Sequence, residues 1–246
     1  MRRIVILGAT SSIAQQVARL LAADGAEMLL VARSLERLEL LRADLQARGA
    51  GQVWLVVSDL VDGADPLSIL MSARTKLPEF DTVLIAHGTL LDQEQTQIDP
   101  ALAQREIESN FTSVVALATA FARHFEVRGA GTLAVISSVA GDRGRKSNYV
   151  YGAAKAGVST FLEGLSARLH ARGVRVLNVK PGPVDTPMTA NLKKSALFAT
   201  PQRVAADIVR GLRIGKSGVL YTPWFWRWIM LVIRMIPTPI MRKLGF

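Results

Sequence analysis

The 246-residue chain contains no cysteine, which excludes disulfides, thiolate metal sites and iron–sulfur clusters and fits a reducing, cytoplasmic setting. Histidine is scarce. Only His87, His124 and His170 occur, with no HExxH pair and no carboxylate–histidine cluster, so metal catalysis is not expected. Acidic residues stop at Asp207, whereas Arg210, Arg213, Lys216, Arg227, Arg234, Arg242 and Lys243 follow it. Of the net charge of +10, the last 39 residues therefore carry +7. That excess sits in an apolar tail and not on a recognisable nucleic-acid module, so no nucleic-acid partner is expected. Linkers, repeats and low-complexity segments are also lacking. The chain reads as one domain over 1–222 with a tail over 223–246.

Apolar residues make up 50% of the chain and charged ones 20%, enough for a sizeable core. Short β-branched runs without strict alternation recur at Ile4–Leu7, Met28–Ala32, Val53–Val57, Thr82–Ala86, Thr132–Ser137, Val174–Val179 and Val219–Tyr221. They read as strands of a parallel sheet, buried on both faces. The first follows Met1-Arg2-Arg3 and runs straight into a glycine turn, too short for the core of a signal peptide. Helical patterns fill the intervals at Ser12–Asp24, Ser34–Arg48, Asn110–Arg128 and Tyr151–Arg172, and a further helix opens at Thr200-Pro201. The alternation predicts an α/β fold: a single doubly wound, Rossmann-type parallel sheet of about seven strands flanked by helices, with an apolar, basic C-terminal helix.

After the first strand comes Gly8-Ala9-Thr10-Ser11-Ser12-Ile13-Ala14, opening a helix. A strand, a turn of small residues and a helix N-terminus present backbone N–H groups to a pyrophosphate, so Gly8, Thr10, Ser11, Ser12 and Ile13 are candidate phosphate contacts. The usual fingerprint has glycine also where Ser12 and Ala14 stand. The second strand ends at Arg33-Ser34, with no acid to accept from a ribose 2′-hydroxyl. A guanidinium and a hydroxyl suit a 2′-phosphate, so NADP(H) is preferred over NAD(H). Asp59, followed by Leu60, is placed to hydrogen-bond the adenine amino group.

Tyr151 and Lys155 are four residues apart, one turn on the same helix face, and Ser138 precedes them in Ile136-Ser137-Ser138. A phenol that exchanges a proton near neutrality needs its pKa of about 10 lowered, which a neighbouring ammonium does. Tyr149 has no lysine four residues on.

With these segments in order, the chain resembles the short-chain dehydrogenase/reductase family over roughly residues 1–222. The matching stretches are the turn at Gly8, Ser58-Asp59-Leu60, Ala86-His87-Gly88, Asn110, Ile136-Ser137-Ser138, Tyr151-x-x-x-Lys155 and Pro181-Gly182-Pro183-Val184-Asp185-Thr186. The resemblance implies that Tyr151 is the acid/base and that Ser138 orients the substrate oxygen. Lys155 would tune Tyr151 and hold the nicotinamide ribose, with Asn110 relaying protons. It implies cofactor contacts from Ala86, His87, Gly88, Pro181 and Gly182, and from Val184 and Thr186 at the nicotinamide carboxamide. His87 stands where a small residue is usual; it either reaches the cofactor or packs against a neighbouring helix. The resemblance also implies a homo-oligomer formed through the two long helices.

From Pro223 to Ile236 the tail is a 14-residue apolar stretch. As a helix it would be about 21 Å long, short of the roughly 30 Å needed to span a bilayer. Arg227 and Arg234 share a face, and Trp224, Trp226 and Trp228 cluster at its start. Aromatic anchors with a basic face suit a helix lying on the inner face of the cell membrane; a subunit interface or a lid over the pocket is the alternative. The tail, the Gly8–Ala14 turn and Ala86–Leu90 together are similar to the branch of the family that includes decaprenylphosphoryl-2-ketoribose reductase. That likeness implies a lipid-linked keto sugar as substrate. Another lipophilic ketone (3-oxoacyl, sphingoid or steroid-like) is the competing enzymatic reading. A nucleotide-binding scaffold without turnover is the reading of another class.

Overall fold

The computed structural model describes residues 2–63 and 65–244. The β-branched runs form β1 (Arg3–Leu7), β2 (Glu27–Ala32), β3 (Val53–Val57), β4 (Thr82–Ile85), β5 (Gly131–Ile136), β6 (Val174–Pro181) and β7 (Gly218–Thr222). They make one sheet in the order β3-β2-β1-β4-β5-β6-β7, every pair parallel. Each predicted strand is present, its ends within two residues of expectation.

Because strand side chains alternate between faces, β1 feeds two cores. Ile4 and Ile6 pack with α1 (Ser12–Ala22), α2 (Leu35–Ala47) and α8 (Pro201–Arg213) through Val17, Leu38 and Ile208. Val5 and Leu7 face α3 (Pro66–Lys76), α6 (Ser113–Arg128) and α7 (Tyr149–His170) through Ile69, Phe121 and Val158. Ile4, Val5, Ile6 and Leu7 are 0% exposed, as expected of a central parallel strand covered on both sides.

Helix starts follow local chemistry. Ser11 caps α1 by accepting from Ala14 N, and Ser34 caps α2 by accepting from Arg37 N. Asp65-Pro66 opens α3 and Asp99-Pro100 opens α5 (Pro100–Ile107) in the same way that Thr200-Pro201 opens α8. The sequence reading did not anticipate α3, α5 or the short α4 (Gln93–Thr96). The helix expected from Asn110 differs too: a π-helical turn, Glu108–Thr112, joins α5 to α6 and turns Asn110 inward, 0% exposed. Such turns occur often at functional sites.

The tail is shorter as a helix than expected, with α9 spanning Trp226–Met235 and α10 spanning Thr238–Met241. Trp226 and Met230 pack on Val139 with help from Ile229 and Ile233. Trp228, Leu231, Val232 and Met235 are exposed. They fall at i, i+3, i+4 and i+7, so α9 has two apolar faces and only one is covered. Trp226 is accordingly not a surface anchor, which leaves Trp224 and Trp228. No described helix is long and apolar enough to cross a membrane.

Candidate active site

The strand order departs in opposite directions on either side of β1, so a crevice opens beyond the C-terminal ends of β1 and β4. Gly8 follows β1 there and His87 follows β4. Gly8 has φ +80°, and a Cβ on it would sit 2.6 Å from the His87 backbone nitrogen. Only glycine fits both that φ and that approach. Ser11 N then donates to Gly8 O (3.0 Å), and α1 begins at Ser12. The first-turn N–H groups of a helix have no intrahelical acceptor, so Ser12 and Ile13 bring donors to the crevice mouth while the Ile13 side chain packs on the core. The Thr10 carbonyl accepts from Gln15 Nε2 (2.9 Å) and Arg37 Nη2 (3.3 Å), which fixes the turn. This tight, donor-rich turn fits a dinucleotide pyrophosphate.

At the end of β2, Arg33 is exposed and its Nη1 lies 3.5 Å from Asp59 Oδ2. Burial raises the Asp59 pKa, but N–H donors from Val61 and Asp62 and the Arg33 charge outweigh it and hold the carboxyl below its ordinary value. Leu60 turns into the core. The Ser34 hydroxyl caps α2. Arg37 was not singled out in the sequence because an exposed helical arginine carries no signal; its bond to Thr10 brings a second guanidinium beside the turn.

The other group of predicted residues converges near Gly88. A Cβ on Gly88 would lie 2.6 Å from Asn110 Oδ1 and 3.4 Å from Lys155 Nζ. Asn110 Oδ1 accepts from Thr89 N (3.2 Å), and its Nδ2 donates to Glu106 O (3.1 Å) and Thr89 Oγ1 (3.2 Å). Lys155, 3% exposed, donates to Ile136 O (3.4 Å), with Nζ 5.6 Å from the Tyr151 ring centroid. Ser137 donates to Asn178 Oδ1 (2.7 Å) and is buried, whereas Ser138 caps the 3₁₀ turn Val139–Asp142 and is partly open. Tyr149 is exposed and lines a different cavity.

Electrostatics at this end depart from expectation. Burial pushes the Tyr151 phenol up to about 12, a Ser138 hydrogen bond opposes the rise, and the Glu106 charge adds to it. The Lys155 ammonium, which lies over the ring, does not hold the phenol below its ordinary value. Burial instead lowers Lys155 itself to about 8, with Glu106 pulling the other way. Glu106 is a further residue missed in the sequence. It is 1% exposed, accepting from Thr89 Oγ1 (2.7 Å) and Leu91 N (3.3 Å), a buried carboxylate one turn before Asn110.

On the far wall, Pro181 ends β6 and Gly182 N donates to Thr222 O (3.1 Å). A Cβ on Gly182 would collide with Nε1, Cε2 and Cδ1 of Trp226, so the indole lies directly against this backbone. Val184 is buried, its carbonyl accepting from Thr189 Oγ1 (2.5 Å), and Thr186 N donates to the same hydroxyl (3.2 Å). Ala86, 9% exposed, joins the core on the α1 side.

His87 packs: Nε2 lies 2.9 Å from Ser113 Oγ, Nδ1 is buried without a partner, and burial, reinforced by Lys155, lowers its pKa to about 3. Since the unfolded side chain titrates near 6.5, its contribution to stability is complete above that pH and is lost as pH falls toward 3. At pH 5 the loss from this group is about 2 kcal/mol. Urea unfolding at pH 7.5 and 5 is expected to show a stability drop smaller by that amount in His87→Gln; equal drops in both proteins would refute the assignment.

Residues 2–196 match the family model described as short chain dehydrogenase. An uncharacterised oxidoreductase of Mycobacterium tuberculosis is 38% identical over 241 residues, covering 98% of this chain and 96% of that protein. The cis-4-hydroxycyclohexanecarboxylate dehydrogenase of Sinomonas cyclohexanicum is 32% identical over 192 residues, 76% of this chain and 75% of that one. A short-chain type dehydrogenase/reductase structure from Mycobacterium ulcerans superposes with a TM-score of 0.81 at 21% identity, covering 99% and 98% of the two chains.

Proposed function

The chain belongs to the short-chain dehydrogenase/reductase family, whose members are NAD(P)-dependent oxidoreductases of alcohols and ketones, and from that premise we propose an NADPH-dependent ketone reductase acting on a lipid-linked substrate at a membrane surface. The observation that carries the reading is the convergence of Asn110 and Lys155 at Gly88, with Ser138 beside Tyr151. NADPH held in the crevice would supply the hydride for the carbonyl carbon. Ser138 holds the carbonyl oxygen against Tyr151, whose hydroxyl protonates it; Lys155 returns a proton to the phenolate, resupplied from solvent through a water held at Asn110. A scaffold without turnover has no use for this complete set.

The test is NADPH oxidation with keto sugars on polyprenyl phosphates and, in parallel, 3-oxoacyl, sphingoid and steroid ketones. Fastest turnover on the polyprenyl-linked ketone is expected. Preference for the other ketones would replace that substrate class, and inactivity on all of them would favour the scaffold.

NADPH preference rests on Arg33 and Arg37, two exposed guanidinium groups at the adenosine end, of which Arg33 is paired with Asp59 and Arg37 bonds the turn at Thr10. A charge-assisted hydrogen bond to a phosphate is worth about 1.5–3 kcal/mol, so Arg33→Ala should raise KM for NADPH roughly ten- to a hundredfold. KM for NADH should change little; equal effects on both would remove the preference.

Membrane contact is supported by the exposed stripe Trp228, Leu231, Val232 and Met235 in a segment with no acidic residue and several cations. An anionic lipid surface suits both features, and placement on the inner face of the cell membrane follows from the same reading. Trp228→Ser with Val232→Ser is expected to abolish flotation with phosphatidylglycerol vesicles without lowering thermal stability. Flotation equal to wild type would overturn the contact. Truncation after Thr222 is a poorer test because it also removes Trp226 and Met230 from Val139 and Gly182. Self-association through α6 and α7 belongs to the same proposal.

A further inference from the structure

A cavity of about 490 Å³ lies apart from the crevice, between the loop that precedes α7 and the C-terminal segment. Its lining includes Arg143, Arg145, Lys146 and Arg242, with Tyr149 and Thr238, and no carboxylate among the described residues. We infer that this cavity is a binding site for an esterified phosphate, held by Arg145, Lys146 and Arg242 against a wall fixed by Arg143.

Four cations facing one space repel each other unless an anion joins them. No carboxylate among the described residues lies within 4.0 Å of any of the four, although fourteen ion pairs occur elsewhere. The nearest acid in sequence, Asp142, is engaged elsewhere: Oδ1 accepts from Lys180 Nζ (2.5 Å) and Oδ2 from Tyr221 OH (2.7 Å). Arg143 Nη2 donates to Ile236 O (3.1 Å) and Thr238 Oγ1 (3.4 Å), which ties the loop to the tail and sets the width of the cavity. Arg145 carries a second, independent sign of a missing partner, because its Nε is buried and finds no acceptor among the described residues. Buried donors are rarely left so, and least often on a charged group. Burial also lowers the Arg145 pKa, as expected of a guanidinium withdrawn from water without a counterion.

The chemistry of the occupant follows. Guanidinium forks match phosphate oxygens in two parallel hydrogen bonds, and an ammonium adds a compact charge. The volume is in the range of small-ligand sites, about 300–1,000 Å³, and exceeds what a bare phosphate fills, so the phosphate carries a substituent. Met241, among the lining residues, gives the cavity an apolar element. An alkyl or prenyl ester satisfies all of these. That the ester is lipid-borne rests on the membrane reading above; that the cavity takes phosphate does not.

Isothermal titration of the full chain at constant ionic strength provides the test, with decyl phosphate below its micellar concentration as a monoester, dihexanoyl phosphatidylglycerol as a diester, and inorganic phosphate. Saturable binding of an ester that weakens at least about tenfold in Arg145→Gln and in Lys146→Gln is expected, with unchanged melting temperatures. Preference for the monoester assigns the site to a phosphate-terminated lipid such as an unglycosylated polyprenyl phosphate, and preference for the diester to a phosphodiester, the class to which both the sugar-bearing polyprenyl phosphate and a glycerolipid headgroup belong. Inorganic phosphate binding as tightly as either ester overturns the esterified ligand. Non-saturable binding, or Lys146→Gln matching wild type, overturns the site. Because these probes are soluble, Trp228→Ser with Val232→Ser should leave the titration unchanged while losing vesicle flotation, so the two ideas fail separately.

Discussion

Tyr151→Phe is expected to lower kcat by about a thousandfold, the middle of the range for loss of a positioned general acid. The substitution keeps the ring under Lys155 Nζ and removes only the hydroxyl beside Ser138. Cofactor affinity, read by fluorescence titration, should therefore be unchanged, and the loss should appear in single-turnover hydride transfer. With the phenol near 12, reduction has its acid fully protonated throughout the neutral range. Alcohol oxidation needs the phenolate, so its rate should climb as pH rises, whereas the reductive rate should stay level until Lys155 loses its charge above about 8. Near wild-type turnover by the Phe variant on its true substrate would remove Tyr151 from the chemistry.

Gly8→Ala should be the most damaging single methyl in the nucleotide turn. Its φ of +80° costs an alanine about 1–2 kcal/mol. The added carbon would also meet His87 N at 2.6 Å and His87 Cα at 2.8 Å, which are backbone atoms at the end of β4 that no rotamer change can clear. Overpacking of this kind adds about 1–3 kcal/mol. Gly129→Ala is the matched control: φ is +72°, but nothing lies within 4 Å of the new carbon. Urea unfolding should show Gly129→Ala losing only the conformational part. Gly8→Ala should lose clearly more and bind NADPH at least tenfold more weakly. Equal losses in the two variants would mean that the turn relaxes freely and that the contact with His87 is unimportant.

The sheet was legible because strands covered on both faces must be apolar throughout, and β-branched runs such as Ile4–Leu7 leave no other reading. The helices α3 and α5 were less so. Their surfaces mix apolar and polar residues without a clean period, though Asp65-Pro66 and Asp99-Pro100 announce their starts as plainly as Thr200-Pro201 does. Tyr151, Lys155, Ser138 and Asn110 could be found from spacing and resemblance. Glu106 could not, since a lone acid in a helix is ordinarily solvated and its burial depends on Thr89 and Leu91 reaching it from another loop. The same limit explains the Tyr151 phenol. Spacing places an ammonium one turn away, but only the fold reveals how deeply both groups are withdrawn from water. In the tail, the pattern revealed a helix apolar on nearly every side, and packing against Val139 decided which side is covered.

The indole of Trp226 pressed onto Gly182 also makes the protein its own optical instrument. Indole emission overlaps dihydronicotinamide absorption, and this ring adjoins the segment proposed to meet the nicotinamide. Trp54 lies on the far edge strand, β3, and Trp224 and Trp228 face outward. With the two outward rings changed to phenylalanine, quenching on cofactor addition would be dominated by Trp226. The blue edge of the same spectrum would report whether the tail remains seated on the catalytic wall when the chain meets a vesicle.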